Sequence, residues 1–541
     1  MGIPSYFSYI VRKHRSILIN YQSKRMAIHN LYMDCNSLIY DSIHELHDKK
    51  GHINDIETTI ITMVCDKIKH YIRLLSPQKN IFIAFDGVAP IAKLEQQKNR
   101  RYKSWLEKDL HMKMGISQGS IFDTVSITPG TEFMKKLDSK IHATFENTKE
   151  FNNNIIISSS NQPGEGEHKI YKYIRDNQDE HKNYTTVIYG LDADLIMLTL
   201  NHLHIAESMY LFRETPHFIK SLDKSLNPNS TYLMDIPMFA SSLAIDLNDN
   251  KIPETQEKHN RIFDYILLCF FMGNDFLPHF PAINIRTTGI DRIMDAYKTV
   301  IGNTNKNITS GNKIQWNNLR KVVLLLANIE DKLFLEEYNI RDKQARGTAS
   351  RTTELKDKFN AIPMLERSVE LYINPNEKGW EDRYYKCLFD VEIDDERRKE
   401  ICVNYLEGLE WTLKYYTTGC SNWRWSYKYN YPPLLKDLIK YIPAFEVEFI
   451  DVLPPDPVSP LVQLSYVIPR KSLYLVPRNL QELLLSKYSN NYRENYEIEW
   501  AFCRYFWEAH VKFPEINISE LEELVDSCLL YTSDAADDVE C

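Results

Sequence analysis

The sequence has little cysteine and no cysteine motif. Nine cysteines are scattered over 541 residues with no CxxC pair. That excludes a zinc knuckle and a disulfide framework and points to a reducing, intracellular setting. No apolar run reaches the ~20 residues that a membrane span needs. A secretory signal is missing too: Met1 to Ile10 is mixed, and Arg12, Lys13 and Arg15 follow without an apolar core. Gly2 fits a myristoylation site, but Tyr6 stands where Ser or Thr is required. Nor is there an excess of basic charge. The net charge is −9, which by itself does not mark a nucleic-acid binder, although a local basic patch can still hold phosphates. No internal repeat is evident.

What is present is a folded globular composition, 43% hydrophobic and 12% aromatic. The most informative stretch is YGLDADLIML, Tyr189 to Leu198. Val187, Ile188 and Tyr189 read as a buried strand, and Asp192 and Asp194 follow it one residue apart. An unpaired carboxylate costs several kcal/mol to bury. Such a pair at a strand end therefore faces solvent, a cation or a metal.

Other strand-like runs also end on acids. LYMDCNSLIY (Leu31 to Tyr40) reads as strand-like and carries Asp34, for which capping of the next helix is the plainer reading. Ile53 to Leu75 has helical apolar spacing. Ile81 to Phe85 reads as a strand ended by Asp86, with Gly87 and Pro90 making a turn. Ile155 to Ser158 is another strand. After it, Pro163 and Gly164 turn the chain, and Glu165 and Glu167 open a helix, with His168 beside them. Arg261 to Met272 reads as a helix ended by Gly273, ahead of Asp275. This order predicts an α/β fold with a mainly parallel sheet, whose ligands bind beyond the carboxyl ends of the strands.

Directly after Asp86 comes IAKLEQQKNRRYKSW. Lys93, Gln97, Arg100 and Arg101 recur near helical turns and can share a face; Lys98 and Lys103 add charge. A charge run is usually a solvated helix face. Beside an acidic site, however, these donors suit a phosphate, which Arg binds in bidentate fashion.

Residues 1–300 read as one domain and 301–375 as a variable, partly mobile connection. Within the connection, RDKQARGTASRTTELKDK (Arg341 to Lys358) is expected to be exposed. Residues 376–527 form a second, helical and aromatic block containing Trp411, Trp423, Trp425, Tyr427, Tyr429 and Tyr431. Such a cluster makes a core, or a platform on which single-stranded bases stack. The end, CLLYTSDAADD from Cys528, looks like a translated sequencing-library adapter, so residues 528–541 carry no functional reading.

Asp34, Asp86, Glu165, Glu167, Asp192, Asp194 and Asp275 thus make an oxygen-rich set without a Cys or His pattern. That suits Mg²⁺ or Mn²⁺ rather than zinc. The segments MGIPSYFSYI, LYMDCNSLIY, FDGVAPIAKLEQQKNRRY, ITPGTEFM, PGEGEHKI, GLDADLIML, GNDFLPH, GWEDRYYK and SNWRWSYKYNYPP, in this order, resemble the Xrn family of 5′→3′ exoribonucleases. The resemblance implies a PIN/FEN-like nuclease core with the second block packed against it. It implies that the seven acids hold two metal ions and that Lys93, Gln97, Arg100 and Arg101 form a pocket for a 5′-monophosphate. It further implies that Trp425, or alternatively Trp423, stacks on the 5′ base. Tyr40 replaces the family's usual histidine and retains an aromatic face, while Cys35 and Ser37 replace commoner Met and Gly. The implied enzyme is a processive, monomeric exoribonuclease, cytoplasmic in preference to nuclear. It would degrade single-stranded 5′-monophosphorylated RNA to nucleoside 5′-monophosphates, with possible decapping or RNA-decay partners. The competing readings are a 5′ flap DNA nuclease and an inactive RNA-binding scaffold.

Overall fold

The computed structural model describes residues 6–537, apart from 23–25, 49–54, 116–120, 147, 191, 216–218, 223, 225, 303 and 391–393. Met1 to Ser5 of the opening motif, Leu191 of YGLDADLIML and the last four residues of the adapter-like tail lie outside the described residues.

A seven-stranded sheet organises the first half, in the order β1-β7-β6-β5-β2-β3-β4. The strands are β1 (Leu18–Asn20), β2 (Asn30–Asp34), β3 (Asn80–Ala84), β4 (Asn154–Ser158), β5 (Thr186–Tyr189), β6 (Met209–Phe212) and β7 (Tyr232–Asp235). From β4 to β6 all neighbours run parallel, and β7 and β1 close one edge antiparallel. Helices cover both faces, so the central strands are buried on both sides and read as unbroken apolar runs. The crossover from β2 to β3 uses the helix Ile56–Leu75. Asp55 caps it by accepting from Thr58 N–H at 3.1 Å, and Ile60, Ile61, Val64, Ile68 and Ile72 bury one face.

Register places the acids. Asp34 lies opposite Ala84, two residues before Asp86, and Met33 lies opposite Tyr189. Parallel strands end at one edge, so Asp34, Asp86 and the 192–194 turn meet there.

Two expectations need correction. LYMDCNSLIY is a strand only to Asp34; Asn36–Asp48 is a helix, and Tyr40 sits on it. The reason is the wider pattern, since buried Leu38, Ile39, Ile43 and Leu46 recur at helical spacing. The 341–358 stretch is regular, covered by the helices Glu330–Arg351 and Leu355–Asn360. Most of it is exposed, but Arg341 is buried. Its guanidinium binds the Glu370 carboxylate through Nε (2.9 Å) and Nη2 (2.5 Å).

The second block packs on the first through shared cores. Trp411 and Leu413 of the helix Asp395–Thr417 join Ile170 and Leu195 of the nuclease half. Val88, Ile91 and Leu94 pack with Val462, Leu464 and Tyr466. Among the described residues no helix is long and apolar enough to cross a membrane.

Candidate active site

The acids converge at the carboxyl edge of the sheet. Asp34 ends β2. Asp86 follows β3, where Asn36 Nδ2 donates to its Oδ2 and Gly166 N–H donates to its Oδ1 at 2.7 Å. Glu165 and Glu167 lie at the start of the helix Gly166–Asp176. Gly166 is required by close approach, because a Cβ there would stand 2.7 Å from Asp34 Oδ1. Asp192 is exposed at the rim, whereas Asp194 opens the helix Asp194–His202 and is buried. Asp275 follows Gly273, whose φ of 84° suits glycine at the turn.

Electrostatics tie these groups into one cluster. Burial, then Asp86 and Asp192, holds the Asp34 carboxyl well above the usual range. Burial, then Asp194 and Glu165, does the same to Glu167. Burial, Asp275 and Asp192 push Asp194 up to about 7. Burial and Glu165 raise Asp86. Crowded carboxylates resist ionising together unless a cation joins them.

The donor set fits a hard divalent cation. Asp34 Oδ1 and Glu167 Oε2 are buried with no hydrogen-bond partner. Glu165, Glu167 and His168 offer ligand atoms that all lie within 4.8 Å of one another. Mostly oxygen donors with one imidazole favour Mg²⁺ or Mn²⁺ over a thiolate-bound metal. Burial lowers the His168 pKa well below its usual value, so this imidazole is neutral.

Lys93 departs from expectation. A charge run is ordinarily a solvated face, but the Lys93 side chain is 11% exposed and its ammonium lies 2.5 Å from Glu165 Oε1 and 2.7 Å from Asp275 Oδ2. The helix Ile91–Lys113 begins beside Asp86, so its first turn points into the acids. The remaining donors spread along that helix. Gln97 is buried with Oε1 unpartnered. Arg100 is exposed. Its surface is open to solvent, but protein crowds around the guanidinium; that partial desolvation works against the charge, and Tyr40, Asp275, Asp192 and Asp86 outweigh it and raise its pKa. Arg101 is held at the ITPG turn, donating through Nη1 to Thr128 Oγ1 and through Nη2 to the Ile127 carbonyl. Lys98 and Lys103 serve the second block instead. Lys98 lies between the Tyr466 and Phe513 rings, and Lys103 donates to the carbonyls of Trp507 and Ala509.

Trp425 is turned inward at 9% exposure. It stacks on Trp411 at 5.2 Å and donates from Nε1 to Glu407. Trp423 is only half-buried, and its carbonyl accepts from Ile91 N–H at 3.0 Å, at the start of the basic helix. Of the two indoles, Trp423 keeps more free surface.

Sequence reasoning missed Tyr415 and Tyr416. The Tyr415 hydroxyl donates to Glu165 Oε2 at 2.6 Å, and burial, then the charge of Asp194, holds the neighbouring Tyr416 phenol well above its usual pKa. Nothing in the local pattern separates them from the core aromatics around them.

A parallel α/β sheet with helices on both faces and a carboxylate cluster at its strand ends defines a PIN-like nuclease, which implies a divalent cation. Comparison with known proteins narrows this. A family profile described as XRN 5′-3′ exonuclease N-terminus matches residues 1–215. One described as Xrn1 helical domain matches residues 256–370 and 366–529. The chain is 27% identical to a 5′-3′ exoribonuclease 2 homolog of Drosophila melanogaster, over 96% of this chain and 70% of that protein. It is also 27% identical to 5′-3′ exoribonuclease 1 of Saccharomyces cerevisiae, over 98% of this chain and 43% of that protein, and to 5′-3′ exoribonuclease 1 of Homo sapiens, over 98% and 34%. The chain belongs to the Xrn family of 5′→3′ exoribonucleases, hydrolytic enzymes whose substrate is RNA.

Proposed function

We propose that this enzyme is processive and degrades single-stranded RNA bearing a 5′-monophosphate, releasing nucleoside 5′-monophosphates by two-metal-ion hydrolysis. The observation that carries the reading is the shared geometry of Lys93 and the acids. The basic helix that carries Gln97, Arg100 and Arg101 starts inside the carboxylate cluster, through the contacts of Lys93 to Glu165 and Asp275. A 5′-phosphate held by that helix therefore brings the first phosphodiester to the acids.

Asp34, Asp86, Glu165, Glu167, Asp192, Asp194 and Asp275 would hold two Mg²⁺ or Mn²⁺ ions. Bound there, the ions would activate the attacking water and stabilise the leaving oxygen. Gln97 and Arg100 would contact the phosphate oxygens, and Arg101, fixed at Thr128, would shape the pocket wall. Lys93 would balance charge between phosphate and carboxylates. Tyr40, on the helix Asn36–Asp48, and an indole of the second block would sandwich the first base; the half-buried Trp423 suits that role better than Trp425. The enzyme is proposed to act as a cytoplasmic monomer.

The test is degradation of matched RNAs carrying 5′-monophosphate, 5′-hydroxyl or 5′-triphosphate ends, with and without Mg²⁺, beside a 5′ flap DNA. Fast, Mg²⁺-dependent loss of the monophosphate RNA alone is the expected result. Preference for the flap would overturn the reading.

A further inference from the structure

Tyr415 lies on the helix Asp395–Thr417 of the second block, yet its hydroxyl reaches a carboxylate of the nuclease half, donating to Glu165 Oε2 at 2.6 Å. The residue is 2% exposed. Its surroundings fix it. Trp411 stacks on Tyr415 at 4.8 Å and 20°, and His168 lies against the ring at 3.7 Å. Phe276 packs edge-on to it at 5.3 Å.

We infer that Tyr415 is a positioning residue that orients Glu165 for metal binding, so that the metal site is completed by the second block. Lys93 holds Glu165 Oε1 at 2.5 Å, and the Tyr415 hydroxyl holds the other oxygen, Oε2, at 2.6 Å. The two donors together set the rotation of the carboxylate about its terminal bond, as partners of a metal-ligating carboxylate do. Placing the phenol donor on a helix of the second block couples the orientation of Glu165 to the docking of the blocks. The nuclease half alone would therefore possess every acid and still bind metal poorly.

The inference rests on the acids being metal ligands, and its test separates the two claims. Mn²⁺ binding to the full chain is measured by isothermal titration calorimetry for wild type, Tyr415→Phe and Glu165→Gln, with the melting temperature of each taken metal-free. The Phe variant keeps the ring and removes only the hydroxyl. It is expected to bind Mn²⁺ about tenfold more weakly, in line with the loss of a partner that orients a ligand, with melting unchanged. In RNA degradation, saturating Mn²⁺ should restore kcat with KM for RNA unaltered. Wild-type Mn²⁺ affinity in Tyr415→Phe, with binding lost in Glu165→Gln, overturns the positioning role alone. Undiminished binding in Glu165→Gln overturns the metal assignment of Glu165 itself.

Discussion

The ammonium of Lys93 lies 2.7 Å from Oδ2 of Asp275, and the two side chains are 11% and 3% exposed. This buried pair joins the basic helix to the acid cluster, and Glu165 shares the same ammonium. Each carboxylate, 6% and 3% exposed for Glu165 and Asp275, would otherwise face like charges while buried. Lys93→Met should therefore cost stability as well as activity. Breaking a buried pair by removing one partner typically costs about 3–5 kcal/mol. Thermal melting checks this, and the loss should shrink when Mg²⁺ is added, because the cation replaces the missing charge. Equal melting of variant and wild type without metal would refute the structural role.

Arg100 makes the opposite case. It is exposed, so Arg100→Ala should leave the melting temperature within a degree or two. The loss belongs to substrate choice. A charge-assisted bond of about 1.5–3 kcal/mol corresponds to roughly a 10- to 150-fold fall in preference for 5′-monophosphate over 5′-hydroxyl RNA. Paired kcat/KM measurements on the two RNAs read this ratio directly.

The two tryptophans should separate cleanly. Trp425 is packed on Trp411, and truncating a buried Trp to Ala costs about 3–5 kcal/mol. Trp425→Ala should thus lower the melting temperature sharply. Trp423→Ala should barely change melting and should raise KM for RNA several-fold. If Trp423→Ala degrades RNA with an unchanged KM, the base platform lies elsewhere.

The acids should give the metal-free protein a characteristic pH response. Asp194 is held up to about 7, whereas an unfolded aspartate titrates near ~3.9. Between about pH 4 and 7 the folded state keeps a proton that the unfolded chain has lost. Asp194 therefore costs stability progressively as pH rises through that window, and no further above it. Wild-type melting should fall relative to Asp194→Asn over pH 4–7. Metal must displace the same proton, so Mn²⁺ affinity should climb as pH rises from about 4 to 7. A Mn²⁺ affinity that is flat from pH 5 to 8 would contradict this.

The sequence alone determined a good deal. Apolar runs ending on Asp34, Asp86 and the Asp192–Asp194 pair specify parallel strands with acids at one edge, because a carboxylate cannot continue a buried run. The helical spacing of Lys93, Gln97, Arg100 and Arg101 places them on one helix beside that edge, and the order of the motifs identifies the family. Tertiary structure decided how each of these side chains is used. Lys93 and Arg100 look alike as basic residues on one helix, but only the first turn of that helix enters the acid cluster, so one is buried and paired while the other faces solvent. Trp423 and Trp425 are two residues apart, and only packing on Trp411 distinguishes core from surface. Tyr415 reads as an ordinary core aromatic. Its hydroxyl meets Glu165 across 250 residues of chain, a proximity that no local pattern encodes and that only the docking of the second block creates.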